Sequence, residues 1–214
     1  MIYNREPNCH SHTNFQGSGL PKEIMKEIAG ELFGTPDAYD AAGAFTPMNK
    51  GKAVFTSLSL IYEELHNSLT LCNWMMPYWT SPRKDRKYRG DRNMEAKLYS
   101  AVTGDTMTRE QLELVGRRIF TMLRALTARF MKEKDLRTKH DLIPTWVFEY
   151  PKDKKAFEAG SNKMDRDDME LAKDLLYAEF GWDKKTGMPT KDTLKTLGLD
   201  YVAETLEKEG LLPA

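Results

Sequence analysis

The run TMTREQLELVGRRIFTMLRALTARFMKEK, residues 106–134, constrains this chain more than any other stretch. Thr108 followed three residues later by Gln111 makes a capping box, in which each side chain satisfies a backbone N–H that the first helical turn leaves open. Behind it, Leu112, Val115, Ile119, Leu123, Leu126 and Phe130 recur at helical spacing, predicting one apolar face, with Arg117, Arg118, Arg124 and Arg129 off it. A helix of this length must bury that face against other helices or a sheet.

The rest of the chain offers helices and no sheet. Ile24, Ile28, Leu32 and Phe33 follow helical spacing from Pro21 to a stop at Gly34. Val54, Leu58, Ile61, Leu65 and Leu69 mark a second helix, whose stripe Cys72 continues and which Pro77 and Pro82 are expected to end. MEAKLYSAVTG predicts a helix closed by Gly104, and Met169, Ala172, Leu175, Leu176 and Phe180 one closed by Gly181. Two short helices follow, from Thr190 to Leu197 and around Tyr201 to Glu209. TWVFEY at 145–150 is the one strand candidate, so the fold class is all-α, an irregular multihelical domain spanning 1–214. Residues 1–20, with Pro7, Gly17 and Gly19, read as an irregular segment, and SPRKDRKYRGDR as a solvated connection.

Charge and cysteine content narrow the function. Basic and acidic residues balance at 32 each, which argues against general attraction to nucleic acid or anionic lipid. No run approaches the roughly eighteen apolar residues of a membrane span. Two cysteines cannot build a disulfide framework, and the first residues lack a charged-then-apolar signal, so a reducing cytoplasmic setting is expected.

Phosphate loops, GxSxG, HExxH and CxxC are absent. Metal-capable side chains remain in two places: Cys9, His10 and His12, and His66 with Cys72. Cys-His-Ser-His does not complete a tetrahedral zinc set. On spacing alone Cys72 reads as a small buried hydrophobe, the commoner fate of a free cysteine.

Three longer blocks change that balance. SLTLC, AKLYSAVTGDTMTREQLELVGRRIFTMLRAL and GWDKKTGMPTKDTLKTLGLD, in this order, resemble the C-terminal region of the tungsten-containing aldehyde ferredoxin oxidoreductase family, and the likeness covers nearly the whole chain. The resemblance implies the multihelical fold of that region and a part in a tungsten or molybdenum pterin enzyme that oxidises aldehydes to carboxylic acids. The family motif Asp-x-x-Gly-Leu-Cys falls on Asn67, Ser68, Leu69, Thr70, Leu71 and Cys72, with Asn67 in place of the acid and Thr70 in place of the glycine. By that match Cys72 is a ligand of a 4Fe–4S cluster, and Asn67, Thr70 and Leu71 lie at one pterin of a tungstopterin or molybdopterin. NREPNCHSH resembles the segment ending in Arg-x-x-Cys-His, which makes His10, with His12 beside it, the candidate for proton transfer at the substrate.

Such a cluster takes four thiolates, and this chain owns two cysteines. The family supplies the remainder from a preceding domain, so the chain is expected to be inactive alone. Its implied partners are the missing N-terminal and middle domains, on the same gene or another subunit, and ferredoxin or a similar electron carrier. Trp74, Met75, Met76 and Trp79 are expected to lie exposed where the missing domains would sit, a surface compatible with a homo-oligomer. The alternative is a non-catalytic helical interaction domain that keeps the scaffold and has lost the site.

Overall fold

The computed structural model describes residues 19–39, 47–73, 76, 78–145, 148 and 165–213. Among them are eight α-helices and no strand: α1 Lys22–Phe33, α2 Lys50–Leu69, α3 Met94–Thr103, α4 Arg109–Met131, α5 Leu136–Lys139, α6 Arg166–Phe180, α7 Lys191–Thr196 and α8 Asp200–Lys208. The all-α expectation holds. Among the described residues, extended pairing is limited to two isolated bridges, Thr80 with Arg89 and Trp182 with Pro189. The strand candidate at 145–150 lies mostly outside the described residues. No described helix is long and apolar enough to cross a membrane.

Local chemistry sets most helix ends. Thr108 and Gln111 form the expected capping box, and Asn49, Asp165 and Thr190 cap α2, α6 and α7 with side-chain oxygens. Gly34, Gly104 and Gly181 end α1, α3 and α6 in the left-handed conformation. The charged run at 82–87 is exposed, and Arg89 just beyond it pairs with Glu27 and Glu31 of α1.

Helix α2 is the hub, packed on α1, α4 and α6. Its burial runs nearly all the way round, including Phe55, Ser57, Ser59, Leu60, Ile61, Tyr62, Leu65 and His66. The buried serines return their hydroxyls to the helix, Ser57 Oγ to the Val54 carbonyl and Ser59 Oγ to that of Phe55, both at 2.9 Å. Gly116 lets α4 approach closely: a Cβ there would lie 2.7 Å from the Ile61 carbonyl oxygen and 2.8 Å from Leu65 Cγ.

That close approach decides which face of α4 is buried, and it is not the expected one. Leu112, Gly116, Phe120, Thr121, Arg124, Ala125 and Ala128 point inward, while Leu123, Leu126 and Phe130 are exposed, Phe130 by 92%. Gly116 lets the two helices touch, with Leu112 and Phe120 buried on either side of it along α4, so the stripe of large apolar residues lies to one side. Arg124 also differs from expectation, being only 8% exposed.

Two apolar clusters result. One gathers α1, α2, α6 and the first half of α4 around Phe33, Phe55, Tyr62, Phe120 and Phe180; the other packs α5, α7 and α8 on Ala125 and Ala128. Trp79 and Met76, expected on an open surface, are buried. Trp79 meets Phe33 and Phe55 with ring centroids 5.6 Å away and Tyr62 at 5.9 Å, edge-on in each case. Trp74 and Met75 lie outside the described residues.

Candidate functional site

The segment from Asn67 to Cys72 begins in the last turn of α2 and leaves it by a left-handed residue. Thr70 has φ 56° and ψ 33°, and its backbone N–H, like that of Leu71 at 2.9 Å, donates to the His66 carbonyl. This αL conformation costs a β-branched residue about 1–2 kcal/mol and is the one glycine adopts freely. The helix therefore ends at Leu69, not at Pro77, and Cys72 departs from the apolar stripe.

Cys72 is a free, exposed thiol, so its reading as core filler is overturned. Asn67 and Thr70 are exposed beside it and Leu71 is half-buried. The Cys72 carbonyl accepts from Met76 N–H at 3.1 Å, turning the chain back toward the core where Met76 and Trp79 sit. His10, His12 and Cys9 lie outside the described residues.

Beneath this loop runs a set of polar side chains in which Glu63, Asn73 and Glu95, not singled out in the sequence, join His66 and Asn67. Glu63 accepts from Asn73 Nδ2 at 2.8 Å through Oε2, and from Asn67 Nδ2 at 3.5 Å through Oε1. Asn73 Oδ1 meets His66 Nδ1, and His66 Nε2 lies 3.1 Å from Glu95 Oε1 on α3. His66 is fully buried with both ring nitrogens engaged, which removes it as a metal ligand alongside Cys72. The Tyr62 ring packs 5.7 Å from that of His66, and its hydroxyl donates to Glu113 at 2.9 Å. Burial, with the charges of Glu113 and Glu95, pushes the Tyr62 hydroxyl far above its ordinary pKa, so it stays a donor. Burial and the neighbouring Glu63 raise the Glu64 carboxyl as well. The contacts of Glu63 with Asn67 follow helical spacing and are legible in the sequence; Glu95, on another helix, is not.

A second convergence of polar groups lies elsewhere. Arg124, His140, Asp141 and Tyr177, with Thr127, line a partly open cavity of ≈ 60 Å³ whose remaining walls are apolar. Their polar atoms bond mainly to one another, and the cavity has room for little more than water.

No group of three or more His, Cys, Asp or Glu able to hold a metal ion occurs among the described residues. Among the described residues the thiol of Cys72 is exposed and follows a tight turn, and thiolate is the donor that iron–sulfur clusters take.

Residues 4–199 match the family described as aldehyde ferredoxin oxidoreductase, domains 2 and 3. Among solved structures, one similar chain belongs to the active site complex BamBC of benzoyl coenzyme A reductase, in complex with 1,5-dienoyl-CoA; the TM-score is 0.62 at 20% identity. The likeness covers 91% of this chain and 28% of that one. The chain belongs to the aldehyde ferredoxin oxidoreductase family, and its exposed Cys72 loop and the helices α1 to α7 lie within the stretch that matches domains 2 and 3.

Proposed function

We propose that this chain is the C-terminal helical part of a tungsten or molybdenum pterin oxidoreductase that converts aldehydes to carboxylic acids and passes the electrons to ferredoxin or a similar carrier. One observation carries the reading: Thr70 takes the glycine-like αL conformation at the position where the family motif has glycine, and the thiol two residues on faces outward. A glycine at this position would adopt that conformation freely, which supports reading the turn as the motif's turn with a changed side chain. The single-domain organisation over 1–214 belongs to the same reading, because α4 lends residues to both apolar clusters.

In this account Cys72 presents a thiolate to a 4Fe–4S cluster, the group that takes electrons one at a time when bound. Asn67 and Leu71, with the Thr70 backbone, lie toward one pterin; the Asn67 amide can donate or accept a hydrogen bond there but brings no charge. His10, with His12 two residues on, takes or delivers the proton at the substrate. An aldehyde and water become an acid, two protons and two electrons. The missing cluster ligands and the second pterin site come from the N-terminal and middle domains.

Co-expression with those domains tests the assignment. The complex is expected to show iron–sulfur absorbance that Cys72→Ser diminishes or abolishes; an unchanged cluster in that variant would overturn it. Asn67 in place of the acid favours a second reading, an interaction domain that has lost the site, and a natural complex free of tungsten, molybdenum and iron would establish it.

A further inference from the structure

The polar chain under the Cys72 loop has a fixed donor and acceptor order. Asn73 Nδ2 can only donate and a carboxylate can only accept, so its bond to Glu63 leaves Asn73 Oδ1 facing His66. His66 Nδ1 therefore carries a hydrogen. A further proton sits between His66 Nε2 and Glu95 Oε1, because two bare acceptors 3.1 Å apart would repel. The result is a continuous tie from Glu63 on α2, through the residue next to Cys72, back into α2 at His66 and across to Glu95 on α3.

Ending a helix does not require such a tie. A left-handed residue and its backbone bonds suffice, and Thr70 and Leu71 already supply them. Burying His66 and Glu95 carries a desolvation cost that an ordinary surface loop would not return. Asn67 fits the same design. An acid at 67, as in the family motif, would face the Glu63 carboxylate one turn earlier on α2, where like charges repel. The amide instead donates to Glu63.

We propose that Glu63 and His66 are positioning residues that hold the Cys72 loop through Asn73, and so set the direction in which the thiol faces. Partners behind a ligand orient it in this way at metal sites generally. The consequence for function rests on the reading of Cys72 as a cluster ligand; the clamp itself can be measured without any cluster.

The test uses the 214-residue chain carrying Cys9→Ser, so that Cys72 is its sole thiol, with a nitroxide label on Cys72. Asn73→Ala and Glu63→Ala are expected to sharpen the electron paramagnetic resonance spectrum and to speed hydrogen exchange at the Leu71 amide. The expected factor is about three- to tenfold, what one buried hydrogen bond is worth, with helix content by circular dichroism unchanged. Glu63→Gln, which keeps an acceptor for Asn73, is expected to restore the parent spectrum. Should Asn73→Ala fail to fold, the half-buried Glu63 pair of variants carries the test. A spectrum and exchange rate in Glu63→Ala equal to those of the parent overturn the clamp. A clamp that stands while the cluster survives Cys72→Ser overturns the functional reading alone, and an untethered loop with a cluster that needs Cys72 overturns this inference alone.

Discussion

Arg124 grips Asp141 with both arms of its guanidinium, Nη1 to Oδ1 at 2.8 Å and Nη2 to Oδ2 at 2.5 Å, inside the helical core. Its Nε donates to the Gly187 carbonyl at 2.9 Å, and its plane lies 5.0 Å from the Trp182 ring. Tyr177 and His140 complete the shell of Asp141 at 2.5 and 2.8 Å. Arg124→Met leaves the largely buried Asp141 without its guanidinium partner, with only the side chains of Tyr177 and His140 beside it, and should lower unfolding free energy by about 3–5 kcal/mol in urea titrations. Burial by itself would raise the Asp141 carboxyl, but hydrogen bonding and charge from Arg124, then Tyr177 and His140, bring it from 3.8 down to about 2. A depressed acid contributes stability above its unfolded pKa and loses it as pH falls toward the folded value. Between about pH 5 and 2 the protein should lose about 2 kcal/mol through this group, a slope that Asp141→Asn removes.

Gly116 is the contact point of α2 and α4. Alanine is the better helix former by about 1 kcal/mol, yet its methyl would press on the Ile61 carbonyl and the Leu65 side chain. Gly116→Ala should therefore destabilise the chain by about 1–3 kcal/mol, seen as a lower thermal midpoint with unchanged far-ultraviolet dichroism.

Two phenylalanines on α4 separate the buried face from the open one. Phe120 stacks on Trp182 at 5.6 Å and meets Phe180 at 4.8 Å, whereas Phe130 stands in solvent. Phe120→Ala should cost about 3–5 kcal/mol, and Phe130→Ser should stay within about 0.5 kcal/mol of the parent. Equal effects in chemical denaturation would reverse the face assignment.

Thr70 holds a backbone conformation that its side chain disfavours. Thr70→Gly relieves that strain, offset in part by the extra freedom of the unfolded chain, and should raise stability by about 0.5–1 kcal/mol in thermal melts. The Cys72 loop should keep its path, because the bonds to the His66 carbonyl involve backbone alone.

Helices and most of their ends are local, and the sequence by itself determined them: the Thr108 and Gln111 box, the closing glycines and the helical spacing act within a few residues of where they are read, the end of α2 at Leu69 being the exception. The motif blocks likewise carried the family. What only the tertiary structure decided was which side of each helix faced inward and what lay beneath the loop. The packing of α4 follows Gly116 at its crossing with α2, because backbones can touch only where side chains are short, and hydrophobicity along one helix does not encode its neighbour's shape. Cys72 left the stripe because Thr70 turned the chain through the αL region, and Glu95 joined His66 from 29 residues away. Those pairings depend on contacts between helices far apart in the chain, so they exist only once the chain has folded.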